Sequence, residues 1–328
     1  MDLDGFLENL SKPRHSRRFT HSKLLVEKDD LQVKKIKHGA LTYGNSMVIK
    51  ILDLKKISCR VLLPLSSPEV LRGEDPDCIE DFVGSGELNF PELEWTRGDD
   101  KYVCSEFFNE CAVGYALQIL APQCLFKTHV DCWQSAKKGY ILMEESEKTL
   151  KECVLDLTLN EFVSVCLQVV LALASVEHLQ FKHHDLHLQS ICIDTTEYSY
   201  THSFEWGTVK IESQLHARIS DFGFASINVH GKRVQRLDLD YFDADAGTYG
   251  EWSNTYHPGY DIATFLAYLL EMQDDMSEEV SEAVETMIQT LGHLEISEYT
   301  RPLGEYSMCP TEFIRQCPLF KDCIGSTQ

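Results

Sequence analysis

The chain has 328 residues, a hydrophobic content of 43% and a formal net charge of −22, enough length for one large domain or two lobes around a sizeable core. An acidic surface of this strength excludes nucleic-acid binding through the bulk of the protein, which needs clustered Lys and Arg, and favours basic partners. The longest apolar run, Phe162 to Ala174, contains Ser164 and Gln168 and is too short to span a bilayer, so no membrane partner is expected.

In chain order, Lys12, Arg14, Arg17, Arg18 and Lys23 make residues 1–25 a basic arm, expected to be disordered and the one segment where nucleic-acid contact or targeting could arise. Gln32 to Lys37 and Ser46 to Leu52 predict two strands around Gly39 and Gly44, and Ile57 to Leu65 a third. The stretch over about 66–100 is rich in Pro, Gly and acids and is expected to be an irregular insertion. Phe107, Phe108, Cys111, Ala112, Tyr115, Ala116, Ile119 and Leu120 then recur at helical spacing. Tyr140 to Met143 is a short apolar strand.

Thr158-x-x-Glu161 is a capping-box signature, opening a long apolar helix toward Phe181. Tyr260 to Met272 predicts another apolar helix, and Val280, Ala283, Val284, Met287, Ile288 and Leu291 trace one with a single buried face. No internal repeat or low-complexity linker is visible. Twelve cysteines stand without any Cys-x-x-Cys pair, and the opening residues do not follow a signal-peptide pattern. Neither a disulfide framework nor a zinc site is indicated, and a reducing intracellular compartment is expected.

Two stretches carry chemistry: His183-His184-Asp185-Leu186-His187 and Ser220-Asp221-Phe222-Gly223. They resemble the catalytic loop and the metal-binding loop of a protein kinase, where one carboxylate orients a substrate hydroxyl and a second holds magnesium on the ATP phosphates. A lone Asp-Phe-Gly is weak evidence, but the ordered pair, separated by a strand–loop–strand insert, is strong. The histidine at 187, Tyr256-His257-Pro258 and the ending Pro318-Leu319-Phe320-Lys321 are similar to the divergent haspin family.

That resemblance implies an α+β bilobal fold, with a small antiparallel β lobe over 26–146 and a mainly helical lobe over 147–328. It implies ATP and Mg2+ as cofactors, Asp185 as catalytic base, and His183 joining the catalytic and metal loops. Asp221 would chelate magnesium beside Gly223, Glu110 would pair with the ATP-anchoring cation, and Asp261 would tether the catalytic-loop backbone. The connector from Glu144 to Ser146 would receive adenine. A basic protein substrate, with a histone tail as one candidate, would meet the acidic segment containing Asp238, Asp240 and Asp243, and the nucleus ranks ahead of the cytoplasm.

Three departures stand out. Lys50, in Val48-Ile49-Lys50, copies an anchor signature but follows Gly39 by only 11 residues, whereas Arg60 follows it by 21. A glycine turn, a full strand, a hairpin and half a strand need roughly twenty, so Arg60 is the expected anchor, and a planar guanidinium is a poor substitute for an ammonium there. Ser190 takes the place of the carboxamide that ligates the second magnesium, where its hydroxyl is the expected metal ligand but a shorter and poorer one, and only Gly39 and Gly44 serve as a phosphate-covering loop. The expectation is a haspin-like serine/threonine kinase; a non-catalytic pseudokinase that binds a basic partner, and a small-molecule phosphotransferase of the aminoglycoside or choline kinase type, stay open. A metal cluster of His183, His184 and His187 explains the loop less well than the kinase assignment does.

Overall fold

The computed structural model describes residues 2–12, 40–43, 47–53, 95–98, 101–134, 138–236, 256–296 and 306–325. Within them the fold is α+β, as expected. Three four-stranded sheets stand beside helices, and one continuous core joins them.

The first sheet has the order β1-β2-β6-β5, from β1 (Ala40–Tyr43), β2 (Met47–Asp53), β5 (Asp131–Gln134) and β6 (Lys138–Glu144). β1 and β2 pair antiparallel with Tyr43 opposite Met47, and β2 pairs antiparallel with β6. Lys50 therefore sits in an inner strand, opposite Ile141 on β6. The second sheet has the order β10-β11-β4-β3, from β3 (Trp95–Arg97), β4 (Lys101–Cys104), β10 (Ile227–Val229) and β11 (Lys232–Arg236). Its β10–β11 turn has positive φ at both His230 and Gly231, the backbone that tight hairpins require. β11 runs parallel to β4, so the β10–β11 hairpin that follows the Asp-Phe-Gly loop is fastened to the strand that leads into the next helix.

That helix, α2 (Glu106–Leu120), buries Phe107, Phe108, Cys111, Ala112, Val113, Ala116 and Leu117. The predicted helix over these residues is observed, with Glu110 on its inner side at 1% exposure. Residues 3–11 correct the expectation of a disordered arm over 1–25. They form α1 (Leu3–Ser11), capped by Asp2 and burying Leu3, Leu7 and Leu10. α1 lies against α2, where Phe6 stacks on Tyr115 with ring centroids 4.1 Å apart. Part of the expected irregular insertion is also ordered, since β3 falls at its end; residues 66–94 lie outside the description.

After the short β7 (Lys148–Thr149) and α3 (Leu150–Cys153), α4 (Leu159–Ser175) begins on the predicted capping box at Thr158 and Glu161. A long hairpin of β8 (Ile191–Phe204) and β9 (Gly207–Ile219) packs along α4. Gln168 of that helix bonds both Leu215 O and Ala217 N of β9, so the polar residue inside the apolar run is satisfied by strand backbone. The predicted late helices are α5 (Tyr260–Glu271) and α6 (Glu278–Leu291); α7 (Pro310–Gln316) and β12 (Ile324–Gly325) close the described chain. Among the described residues no helix is long and apolar enough to cross a membrane.

Candidate active site

Two loops meet beneath α2. The first, over residues 182–190, follows Phe181 and carries Asp185. Its backbone is held by Asp261, at the start of α5, whose Oδ2 accepts from His183 N at 2.6 Å and Oδ1 from His184 N at 3.1 Å. His184 takes up a left-handed φ of 67°, and the two amide contacts stabilise that turn. The Asp261 side chain is buried, which raises its pKa; contact with His183, Lys182 and the two amides works the other way.

The second loop, after β9, carries Asp221-Phe222-Gly223. His183 staples the two loops together, its Nε2 lying 2.8 Å from Ser220 O, and Ser220 N donates back to Ser190 O at 2.8 Å. Phe222 turns inward at 1% exposure, with its ring among those of Phe126, His129, Phe181 and His183. Asp221, with φ of 65°, turns the other way and leaves its side chain 48% exposed. An inward aromatic turns its neighbour outward, and this local geometry presents a carboxylate to solvent.

Lys50 closes the constellation. Its Nζ lies 2.9 and 2.8 Å from the two carboxylate oxygens of Glu110 and 2.7 Å from Asp221 Oδ1. The anchor expected at Arg60 is thus corrected: the cation that meets Glu110 is Lys50, and Arg60 lies outside the described residues. The physical reason is the pairing of β1 with β2. β2 borders β6 directly and delivers Lys50 to α2 within the spacing that had counted against it. An ammonium suits this place, because a compact charge can face two carboxylates at once.

One cation between two carboxylates leaves them unequal. Burial alone would favour a neutral Lys50, but the charges of Asp221 and Glu110 outweigh it and its pKa is raised. Burial pushes Glu110 up to about 7, with Lys50 pulling it down, because Glu110 is enclosed and Asp221 shares its cation. Asp221 is held at about 2, chiefly by the Lys50 charge, with His183 and His187 adding to it. His187 also lies 3.8 Å from Asp185 Oδ2 through Nε2.

Several contacts escaped the sequence reading. Asn109, buried on α2, directs its amide at the carbonyls of Phe222, Gly223 and Ala225, at 3.3, 3.1 and 2.8 Å. It couples the helix bearing Glu110 to the loop bearing Asp221, and only its polarity on a buried helix face could have signalled it. His129 reaches Glu110 O with Nε2 at 2.8 Å. Its ring lies where a Cβ on Gly114 of α2 would be, so that position needs glycine. Burial lowers the His129 pKa to about 4, keeping the ring neutral.

The remaining expected residues divide. Ser190 lies in the catalytic loop but is 1% exposed, with its hydroxyl 3.0 Å from His187 Nδ1 and 3.3 Å from Asp185 O. Glu144, at the end of β6, pairs with Arg218 at 2.9 Å, and Ser146 accepts from Lys127 at 2.8 Å. Gly223 lies beside Glu110 and Asp221. Gly39, Gly44, Asp238, Asp240 and Asp243 fall outside the described residues. No group of three or more His, Cys, Asp or Glu arranged to hold a metal ion by themselves occurs among the described residues.

A lysine–glutamate pair between strand and helix, an outward aspartate beside an inward phenylalanine, and a histidine–aspartate loop tethered by a buried carboxylate make up the arrangement of a kinase-like fold. A stretch of 113 residues, 34% of the chain, is 28% identical to "Probable kinase 098L" of Invertebrate iridescent virus 3; it covers about a fifth (20%) of that protein's length. No known protein-family profile matches the chain. Among solved structures, one described as a divergent kinase lacking the glycine-rich loop, which regulates membrane ultrastructure of the Toxoplasma parasitophorous vacuole, is 12% identical. The likeness covers 97% of this chain and 90% of that one at a TM-score of 0.45, too loose a superposition to carry an inference about this site.

Proposed function

We propose that the protein is a haspin-like serine/threonine kinase that transfers the γ-phosphoryl group of ATP to a hydroxyl on a basic protein. The observation that carries this reading is the contact of Lys50 with both Glu110 and Asp221. Phosphoryl transfer asks the protein mainly to position charge. Lys50, held by Glu110, would swing its contact from Asp221 to the nucleotide phosphates. Asp185 would accept the proton of the substrate hydroxyl as its oxygen bonds to the γ-phosphorus and the bond to the β–γ bridging oxygen breaks, releasing ADP.

Among the described residues Lys50 contacts two carboxylates, those of Glu110 and Asp221, so a polyphosphate there needs a cation with it. Asp221 fits that need: its carboxylate is ionised, half exposed and bonded through Oδ1 to Lys50, while Oδ2 has no hydrogen-bond partner among the described residues. Magnesium held there would neutralise phosphate charge. The net charge of −22, together with the acids at 238, 240 and 243, supports a basic substrate such as a histone tail, and a nuclear location goes with that substrate.

The test is transfer of labelled γ-phosphate from Mg-ATP to a basic peptide containing Ser and Thr, beside an Asp185→Asn control. Labelling by the native protein well above the control is expected. Labelling equal to the control would leave the second reading, a pseudokinase that binds nucleotide without turnover, which the buried Ser190 favours.

A further inference from the structure

Resting on the nucleotide site proposed above, we infer that this site takes a single divalent cation with its nucleotide rather than the pair that protein kinases use. The paired arrangement needs two protein ligands, the aspartate of the metal loop and a carboxamide on the catalytic loop. The first is present as Asp221. At the second position the chain has Ser190, and its surroundings close it.

Ser190 is 1% exposed. Its backbone N–H donates to His187 O at 2.9 Å and to His187 Nδ1 at 3.0 Å. The Ser190 hydroxyl has two acceptors within reach, the same Nδ1 at 3.0 Å and Asp185 O at 3.3 Å. Its carbonyl accepts from both Ser220 N at 2.8 Å and Ser220 Oγ at 3.0 Å. The amide, the hydroxyl proton and the carbonyl of the residue are thus all engaged between the two loops, and the hydroxyl reaches less far than a carboxamide. A hard cation sheds water reluctantly and needs accessible oxygen ligands at short range. The wall that should supply the second ligand instead holds the loop's own turn.

Manganese, a spectroscopic stand-in for magnesium, tests this directly. The full chain would be titrated with Mn2+ at saturating non-hydrolysable ATP analogue, with bound metal read from loss of the free-ion electron paramagnetic resonance signal and bound nucleotide measured in parallel. One Mn2+ per bound nucleotide is expected, lost in Asp221→Asn and retained in Ser190→Ala. Two Mn2+ per bound nucleotide would overturn the inference and leave the nucleotide site standing. Loss of the bound Mn2+ in Ser190→Ala with nucleotide still bound would also overturn it, since the hydroxyl would then be a ligand. Absence of nucleotide binding in the native protein would overturn both the inference and the proposed function.

Discussion

Lys50 shows how much one side chain organises. By contacting Glu110 and Asp221 together it joins a strand, a helix and a loop that are distant in sequence. Asn109 repeats the coupling without charge, so Asn109→Leu, which keeps the branched shape but takes the amide away from the Gly223 and Ala225 carbonyls, is expected to cost about 1–3 kcal/mol in urea unfolding and to weaken nucleotide binding. Unchanged stability would mean that the Gly223 and Ala225 carbonyls find other partners. The pair of Glu110 and His129 makes a second prediction, in pH. His129 titrates at about 4 when folded against an ordinary 6.5, so its contribution is present above 6.5 and is lost as pH falls toward 4. Glu110, raised from 4.5 to about 7, contributes in the opposite sense: its stabilisation is present below 4.5 and is lost as pH rises through 7. His129→Gln keeps a donor for Glu110 O and removes the first effect alone. The stability difference between variant and native protein should therefore move in the variant's favour by up to about 3 kcal/mol between pH 6.5 and 4. A difference independent of pH in that window would contradict a buried neutral His129.

At the scale of elements, α1 is a support for the site. It buries Leu3, Leu7 and Leu10 against the helix that carries Glu110, and Leu7→Ala is expected to lower stability by about 2–5 kcal/mol and to weaken nucleotide binding through α2. A loss below about 0.5 kcal/mol would show that α1 is not docked. Elements with long apolar periods were legible in the sequence. Phe107 to Leu120, the helix after Thr158, Tyr260 to Met272 and Val280 to Leu291 all announce a face, and each forms. The helix α1 was hidden because three leucines at helical spacing sit beside a run of Lys and Arg that reads as a solvated tail. The β8–β9 hairpin left a usable signal, the alternation of Tyr198, Tyr200, His202 and Phe204 with exposed polar residues. Spacing misled at Lys50, because a count of typical strand lengths cannot foresee that β2 pairs straight onto β6; the Val-Ile-Lys pattern carried the better information. Parallel pairing of β11 with β4 is a long-range choice with no local signature.

Across the whole molecule these contacts tie together the elements that carry the proposed site. β11 fastens the hairpin after the metal loop to the strand before α2, Asn109 and Lys50 join that helix to Asp221, and His183 with Asp261 fixes the catalytic loop beneath. Such a site needs little rearrangement to accept a nucleotide. The most direct measurement is calorimetric titration of Mg-ATP into the native protein and into Lys50→Met and Arg60→Met. Loss of a charged hydrogen-bond donor to phosphate costs about 1.5–3 kcal/mol, so Lys50→Met should bind about tenfold more weakly or worse, with Arg60→Met unchanged. Native affinity in Lys50→Met, or a loss confined to Arg60→Met, would contradict the assignment of this cleft as the phosphate site.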